Sequence, residues 1–270
     1  MGSLMESKLT PEQHALIKKV LVAQTEALGE VEAPIVEDLL RKHKCRRVLD
    51  IGCGEGSFLL RLAQRMKGAR FLGIDHSELA IGDAARQARR RSLRHVKLKQ
   101  AFFDAGFERA RYDAILTRYT LQHASDPRAF VGAVRNRLWK EGLFVSVESL
   151  DACSGCHQAD PVWERFLGSL AAIHRRGGSD ENVGKRLGRL LAEAGFREIQ
   201  VRAVLCSPST VGWKRFQAVV RASAETAASL CPDLFDLGLL EQVKTWLDDR
   251  AGLERKDPYL CTAVANATRP

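Results

Sequence analysis

The sequence predicts an α/β fold, a mostly parallel sheet with helices on both faces and a helical cap. Three observations predict it. From about residue 46, short apolar runs that fit strands alternate with amphipathic helical stretches. The first such run ends in a turn nearly bare of side chains, "RVLDIGCGEGSF", with Gly52, Gly54 and Gly56 at every second position. Two longer helical stretches interrupt the alternation later in the chain. Strands and helices in this rhythm build βαβ units with right-handed crossovers.

Residues 10 to 44 read as helical. Thr10 before Pro11 and Glu12 is an N-terminal signature, and a second helix is expected from about Pro34, with Ile35, Val36, Leu39 and Leu40 on one face. "RRVLDIG" is a strand. "SFLLRLAQRMK" is a helix with Phe58, Leu59, Leu62 and Met66 on one side, and "RFLGIDH" is the next strand. Ser77 caps a helix over "SELAIGDAARQARRR", and "HVKLKQAFF" and "YDAILTRY" read as strands. Asp126 and Pro127 open a helix through Trp139, and "EGLFVSVES" is a strand entered through Gly142. "NVGKRLGRLLAEAGF" is a helix stopped by Gly195; "REIQVRAVLCS" and "YLCTAVANA" are strands. The expected organisation is an N-terminal helical cap over 1–45, a core over 46–150, a helical lid over 151–180, and a return to the core over 181–270 with a helical insertion at about 208–255.

Of the 270 residues, 45% are apolar and 28% charged, an ordinary globular balance. No apolar run approaches the roughly 20 residues that span a bilayer. The start, "MGSLMESKLT", has no apolar signal region, so a cytoplasmic location and no membrane are expected. Seven cysteines fit reduced thiols better than a disulfide framework. The net charge of +9 is concentrated in "RKHKCRR" and in Arg86, Arg89, Arg90, Arg91, Arg94, Lys97 and Lys99. No aromatic residues interleave with these charges to stack bases, so a solvated face is the expectation and a nucleic-acid partner the alternative.

The glycine turn demands that something come close to the backbone: a dinucleotide pyrophosphate, a triphosphate or a ligand with no phosphate. A phosphate-binding P-loop needs a lysine after the glycines, and Ser57 stands there without one. A dinucleotide fingerprint has its third glycine one position later. Asp50 and Glu55 flank the loop, and two carboxylates repel a pyrophosphate and favour a cation. Asp75 ends the second strand, where a carboxylate accepts both hydroxyls of a ribose. A nucleoside with a cationic tail satisfies both observations.

Together, "VLDIGCGEG", "GIDHS", "YDAILTRYTLQHASDP" and "LWKEGLFVSVES" resemble a class I S-adenosylmethionine-dependent methyltransferase of Rossmann-like fold, and "LLAEAGFREIQV" extends the likeness to about residue 201. The resemblance implies a seven-stranded sheet whose last strand, here "YLCTAVANA", is antiparallel. It implies S-adenosyl-L-methionine as cofactor. Gly52, Gly54 and Gly56 would wrap its methionine and ribose end, Asp50 or Glu55 would face the ammonium, Asp75 would hold the ribose and His76 would lie against the adenine. The family's acidic residue after the third strand is replaced by "QAFFDAG". Either Asp104 substitutes, or Phe102 and Phe103 form an apolar adenine wall. "TRYTLQH" is similar to members acting on secondary metabolites and quinone-like molecules. Arg118 there either approaches the cofactor carboxylate or braces the lid through Glu26, Glu32 or Asp126.

Methyl transfer from a sulfonium needs orientation above all, and a base only for a protonated acceptor. Candidate bases are His123, Glu148 and His157. Glu148, at the end of the fifth strand, is expected to face the acceptor, with Tyr119 in the pocket wall. The aromatic residues of the lid, foremost Trp163 and Trp213, suit a small planar or hydrophobic acceptor. "CSGCH" matches a haem-attachment pattern, yet no export signal accompanies it. Zinc on Cys153, Cys156 and His157 would need a further ligand such as His174 or Cys206, so no metal is expected. The expected function is methylation of a small molecule by a monomer or homodimer. The alternative is an RNA or protein methyltransferase using the basic surface, against which stands the lack of an appended RNA-binding module.

Overall fold

The computed structural model describes residues 10–104 and 106–270; residues 1–9 of the expected N-terminal cap lie outside the described residues. In chain order the elements are α1 (Pro11–Ala27), α2 (Gly29–Lys42), β1 (Arg47–Ile51), α3 (Ser57–Arg65), β2 (Arg70–Asp75), α4 (Glu78–Arg90), β3 (Val96–Gln100), β4 (Tyr112–Arg118), α5 (Pro127–Arg137) and β5 (Leu138–Ser149). Then follow β6 (Gly155–Cys156), α6 (Pro161–Arg176), α7 (Leu187–Glu193), β7 (Arg197–Cys206), α8 (Pro208–Val211), α9 (Trp213–Leu230), α10 (Leu237–Asp248), α11 (Arg250–Lys256) and β8 (Pro258–Thr268).

These elements form two compact units. A sheet unit comprises Glu32–Ser149, Val183–Ala203 and Ala263–Pro270; a helical unit comprises Met1–Val31, Leu150–Asn182 and Val204–Thr262. Neither is one continuous stretch of chain. Among the described residues no helix is long and apolar enough to cross a membrane.

In the sheet unit the strand order is β3-β2-β1-β4-β5-β8, with β7 also on β8. β1 lies parallel to β2 and β4, β3 parallel to β2, and β5 parallel to β4. β8 reverses direction: Glu141 N–H donates to Arg269 O at 2.8 Å and Arg269 N–H to Gly142 O at 2.9 Å. This is the mostly parallel sheet that the sequence predicts, and β8 is the antiparallel last strand that the resemblance implies; with the short β6 counted the sheet has eight strands rather than seven. The central strands β1 and β4 are buried on both faces, as strands covered twice by helices must be, whereas the edge strand β3 and β7 are largely exposed. Gly73, inside β2, shows how tightly α3 packs there, since a Cβ at this position would lie 2.5 Å from Leu59 Cδ2 and 2.9 Å from Cys53 Sγ.

In the helical unit, α1 begins with a capping box between Thr10 and Gln13, and Asp160, Asp236 and Asp249 cap α6, α10 and α11. Trp163, Phe166, Phe216, Phe235 and Trp246 form the buried centre of this unit. β6 is a two-residue addition, pairing antiparallel with Pro258 and Tyr259.

Three boundaries differ from the sequence reading. α2 starts at Gly29 and carries Pro34 inside it, because Leu28 keeps helical backbone angles and the chain turns straight into the next helix. β5 starts at Leu138, not Glu141. Glu141 takes a φ of 60°, and a Cβ on Gly142 would lie 2.8 Å from Trp139 O, so the strand carries a tight kink there. The helix expected over residues 182–196 is a 3-10 turn at Val183–Arg186 followed by α7, with Gly184 and Gly188 weakening its start.

Replacing Gly73 by alanine overpacks the β2–α3 contact and is expected to cost about 1–3 kcal/mol. Urea denaturation of Gly73→Ala checks this; unchanged stability would mean that α3 moves freely off the sheet.

Candidate active site

β1 delivers the chain into the glycine loop. Gly52 and Cys53 N–H both donate to Ile74 O, at 2.8 and 3.0 Å, tying the loop to β2. Gly52, Gly54 and Gly56 have φ of 73°, 54° and 85°, the left-handed region that favours glycine. Two of the three are also demanded by neighbours. A Cβ on Gly52 would lie 2.4 Å from Thr120 Oγ1, and one on Gly56 would lie 2.9 Å from Ala84 Cβ. Thr120 is itself fixed, its hydroxyl donating to Ile51 O at 3.1 Å or to Arg118 O at 3.2 Å. So the bareness of this loop first serves its closure against the end of β4 and against α4.

Glu55 turns inward. Its carboxylate accepts from Ser57 N–H at 3.0 Å, at the start of α3, and from Gln87 Nε2 at 3.3 Å; it is buried. The expectation that Glu55 faces a cationic ligand is corrected by these bonds, which fold it back to cap its own helix. Asp50, at the end of β1, is the other carboxylate. Burial pushes its pKa up to about 7, with Asp75 adding to the rise and Arg118 opposing it.

Asp75 sits at the tip of β2 with its oxygens directed. Oδ2 accepts from Gly54 N–H and Oδ1 from Ser77 N–H, both at 2.9 Å. Each oxygen keeps a further lone pair, as two vicinal hydroxyls require. His76 stacks on Phe102, with ring centroids 5.5 Å apart and 27° between the planes, and Phe102 is 71% exposed. Phe103 packs instead on Phe107 and Phe130, at 5.4 and 5.3 Å. Asp104 accepts from Gly106 N–H at 2.8 Å. Of the two alternatives after the third strand, the aromatic wall is the one with a free ring face, made by His76 and Phe102 rather than by Phe103.

Beyond β4 lies a buried polar knot. Arg118 Nε donates to Glu32 Oε2 at 2.8 Å and the Tyr119 hydroxyl donates to Glu32 Oε1 at 2.6 Å. The Arg118 guanidinium lies over the Phe58 and Tyr119 rings, 4.8 and 4.6 Å from their centroids. Burial alone would lower the Arg118 pKa, but Glu32, Tyr119 and Asp50 together outweigh it and the net shift is upward. Of the three acids named for Arg118 in the sequence, Glu32 is the one that pairs with it. Tyr119 is held at a φ of 52°, a backbone strain that the Glu32 bond helps to fix.

Glu148 departs from its expected place. It is fully buried, and its carboxylate accepts from Leu121 N–H at 3.1 Å, Gln122 N–H at 3.3 Å and the Ser146 hydroxyl at 3.1 Å. Ser146 in turn accepts from Thr117 Oγ1 at 2.8 Å across the β4–β5 register. Glu148 holds the 3-10 turn Leu121–His123 against β5 instead of facing an acceptor. Its burial pushes the pKa up to about 7 against the pull of those bonds. His123 ends the turn half-buried, its Nε2 at 3.4 Å from Gln122 Nε2.

A family model described as a methyltransferase domain matches residues 42–195. The chain belongs to the methyltransferase-domain family. The ubiquinone biosynthesis O-methyltransferase of Leptothrix cholodnii is 30% identical over 118 residues, 43% of this chain and 49% of that protein. The release factor glutamine methyltransferase of Xylella fastidiosa is 29% identical over 151 residues, 56% of this chain and 53% of that protein. The chain spans about half the length of these curated relatives. A solved methyltransferase from Geobacter sulfurreducens, in complex with S-adenosyl-L-homocysteine, matches with a TM-score of 0.52 at 17% identity, covering 97% of this chain and 92% of that one. At that identity the likeness is one of fold.

The matched methyltransferase domain runs on into the "CSGCH" and α6 segments. Trp163 is 1% exposed and stacks between Phe166 and Trp246, with centroids 5.2 and 5.1 Å away. Its Nε1 donates to Gly155 O at 2.9 Å. It is a core residue of the helical unit, which corrects its expected place in a pocket wall. Trp213, the first residue of α9, is only partly buried. Cys153 and His157 are exposed and Cys156 lies in β6; among the described residues none of the three belongs to a cluster able to hold a metal.

Thr120, Ser146 and Gln87 were not singled out in the sequence, whereas Glu32 was one of three acids named there for Arg118. Only Ser146 left a signal, since it shares a strand face with Glu148 at spacing two.

Removing the Glu148 carboxylate orphans two buried N–H groups, so Glu148→Ala is expected to cost about 2–3 kcal/mol. The folded pKa lies above the ordinary value of 4.5, so the folded chain keeps a proton that the unfolded chain has released between about pH 4.5 and 7. Stability contributed by Glu148 therefore falls as pH rises through that window. Denaturation midpoints over this range should vary less in Glu148→Gln than in the wild type; an equal slope would mean the carboxyl titrates normally.

Proposed function

We propose that the protein is an S-adenosylmethionine-dependent methyltransferase whose acceptor is a small, planar or hydrophobic molecule. The observation that carries the first half is the pairing of Asp75 with the glycine loop. The loop's own amide fixes one Asp75 oxygen, so the carboxylate is oriented before any ligand arrives. The residues fit the cofactor on three counts. Asp75 offers two acceptors for the ribose diol, the His76–Phe102 pair offers ring faces for adenine, and Asp50 is an acid with an interest in a cation. Burial disfavours its ionised form, and an ammonium within reach would restore it. No phosphate fits beside these acids.

When bound, the cofactor supplies an activated methyl group and its own leaving group. The chain's part is to bind, orient and exclude water. Arg118, Tyr119 and Glu32 hold the end of β4 rigid, and Glu148 fixes the turn that carries His123. His123 is the remaining candidate for taking a proton from an acceptor hydroxyl or ammonium. Trp213 is kept as a candidate acceptor contact. The quinone-like acceptor class is supported by the ubiquinone biosynthesis relative of Leptothrix and by a demethylmenaquinone methyltransferase of Roseiflexus castenholzii, 31% identical over 102 residues. A macromolecular acceptor is the second reading, favoured by the exposed Arg86, Arg89, Arg90, Arg91 and Arg94 on and after α4 and by Lys97 and Lys99 on the edge strand β3.

Calorimetry should show S-adenosylmethionine and S-adenosylhomocysteine binding in the micromolar range or tighter, and Asp75→Ala should weaken both by roughly 1.5–3 kcal/mol, the scale of lost charged hydrogen bonds. Tight binding of a nicotinamide dinucleotide with no response to the methyl donor would refute the assignment. Labelled methyl transfer into fractionated cell extract then separates the acceptor classes. Label in the small-molecule fraction supports the first reading, and label in protein or RNA with a steep salt dependence supports the second. His123→Ala should slow turnover by roughly 10²–10⁴-fold if it takes the proton, with cofactor affinity unchanged.

A further inference from the structure

Three segments of the helical unit converge on one point. Asp151 opens the short turn after β5, His174 lies in the last turn of α6, and Glu181 lies in the loop that follows α6. One carboxylate oxygen from each acid and a ring nitrogen of His174 all lie within 4.8 Å of one another. His174 Nδ1 is 3.2 Å from Glu181 Oε1. Two ligands of one cation, each bound at about 2.0–2.2 Å in tetrahedral or octahedral geometry, stand about 3.0–3.5 Å apart. That edge of the triangle already has the span.

Two further observations point to a ligand. His174 Nδ1 is buried and, despite the short distance to Glu181, makes no hydrogen bond among the described residues. Its lone pair or proton is thus aimed into the cluster without a partner aligned to it. The backbones of the three residues are also tied in advance. Asp151 N–H donates to Glu181 O at 3.2 Å, Ser179 N–H to His174 O at 3.0 Å, and Ala152 N–H to Asn182 Oδ1 at 3.0 Å. Glu181 is 6% exposed, and a second carboxylate beside it is costly unless a positive charge joins them.

The geometry points to a divalent-cation site formed by Asp151, His174 and Glu181. One imidazole nitrogen with two carboxylates suits zinc or manganese better than magnesium or calcium, which prefer oxygen alone. Three protein ligands leave at least one position for water or another ligand, the pattern of open rather than closed zinc sites. The site is separate from the "CSGCH" segment: it uses no sulfur, and it draws its ligands from the turn after β5 and from the C-terminal end of α6 and the loop beyond it. The ion would pin the C-terminal end of α6 to the turn after β5. This assignment stands apart from the proposed methyl transfer and does not depend on it.

The test uses the full chain stripped with chelator and dialysed against zinc or manganese chloride. One equivalent should be retained, and the thermal midpoint should rise with metal concentration. His174→Ala and Glu181→Gln should each weaken binding by at least about 10–100-fold, the loss ascribed to removing even an outer-shell partner. The double variant Cys153→Ser, Cys156→Ser should bind as the wild type does. X-ray absorption of the zinc form should show nitrogen and oxygen neighbours and no sulfur. Should His174→Ala fail to fold by circular dichroism, the isosteric Glu181→Gln decides. No uptake of either metal, uptake that survives Glu181→Gln, or sulfur in the zinc shell would each overturn the site and leave a plain imidazole–carboxylate ion-pair cluster.

Discussion

Thr120 occupies the space that a side chain at position 52 would need, and the candidate site follows from that exchange. Because residue 52 has no Cβ, the residue after β4 can press against the loop after β1 and reach Ile51 O with its hydroxyl. That contact joins the ends of the two central strands. It sets the path of the loop, and the loop's path places the Gly54 amide where Asp75 accepts from it. The glycines are therefore a packing requirement of the protein before they are a courtesy to a ligand. The two demands coincide because both need the backbone to run close to something else.

Around this closure the sheet unit buries an unusual set of charges. Asp50, Glu32 and Glu148 are all nearly or fully inaccessible, with one buried cation, Arg118, among them. They are handled differently. Glu32 is satisfied by a guanidinium and a phenol. Glu148 is satisfied by two backbone amides and a hydroxyl. Asp50 lies in the field of Arg118 with its pKa pushed up to about 7 by burial. Burying an acid is costly, and groups shifted in this way cluster at functional sites.

Much of this was legible in the sequence because it is local. The loop, the strand-end Asp75 and the caps Ser77 and Asp126 are short-range patterns, and the structure has them where the patterns put them. What escaped is what tertiary packing decides. Glu148 was correctly placed at a strand end, yet the strand is buried on both faces, so alternation could not say which way the side chain turns. Glu55 read as a ligand for a cation because an acid in a loop is ambiguous until Gln87 and Ser57 are seen to claim it. Trp163 read as a pocket wall because an aromatic residue on a helix carries no mark of whether its neighbours are protein or substrate. Glu32 was one of three acids named for Arg118, and only packing selects it, because it reaches Arg118 from a distant helix; Asp151, His174 and Glu181 form no spaced motif, so that grouping had no signature to find.

The discontinuity of both units bears on how the protein is made. Each is assembled from three stretches of chain, and each includes part of β8. During synthesis, neither hydrophobic interior can be completed until that last strand has left the ribosome. Until then the nascent chain carries the apolar faces of two unfinished cores, a state open to aggregation and to chaperone capture. By the same reasoning, neither unit can be obtained by trimming the chain from one end, since the segments of the two units alternate along it.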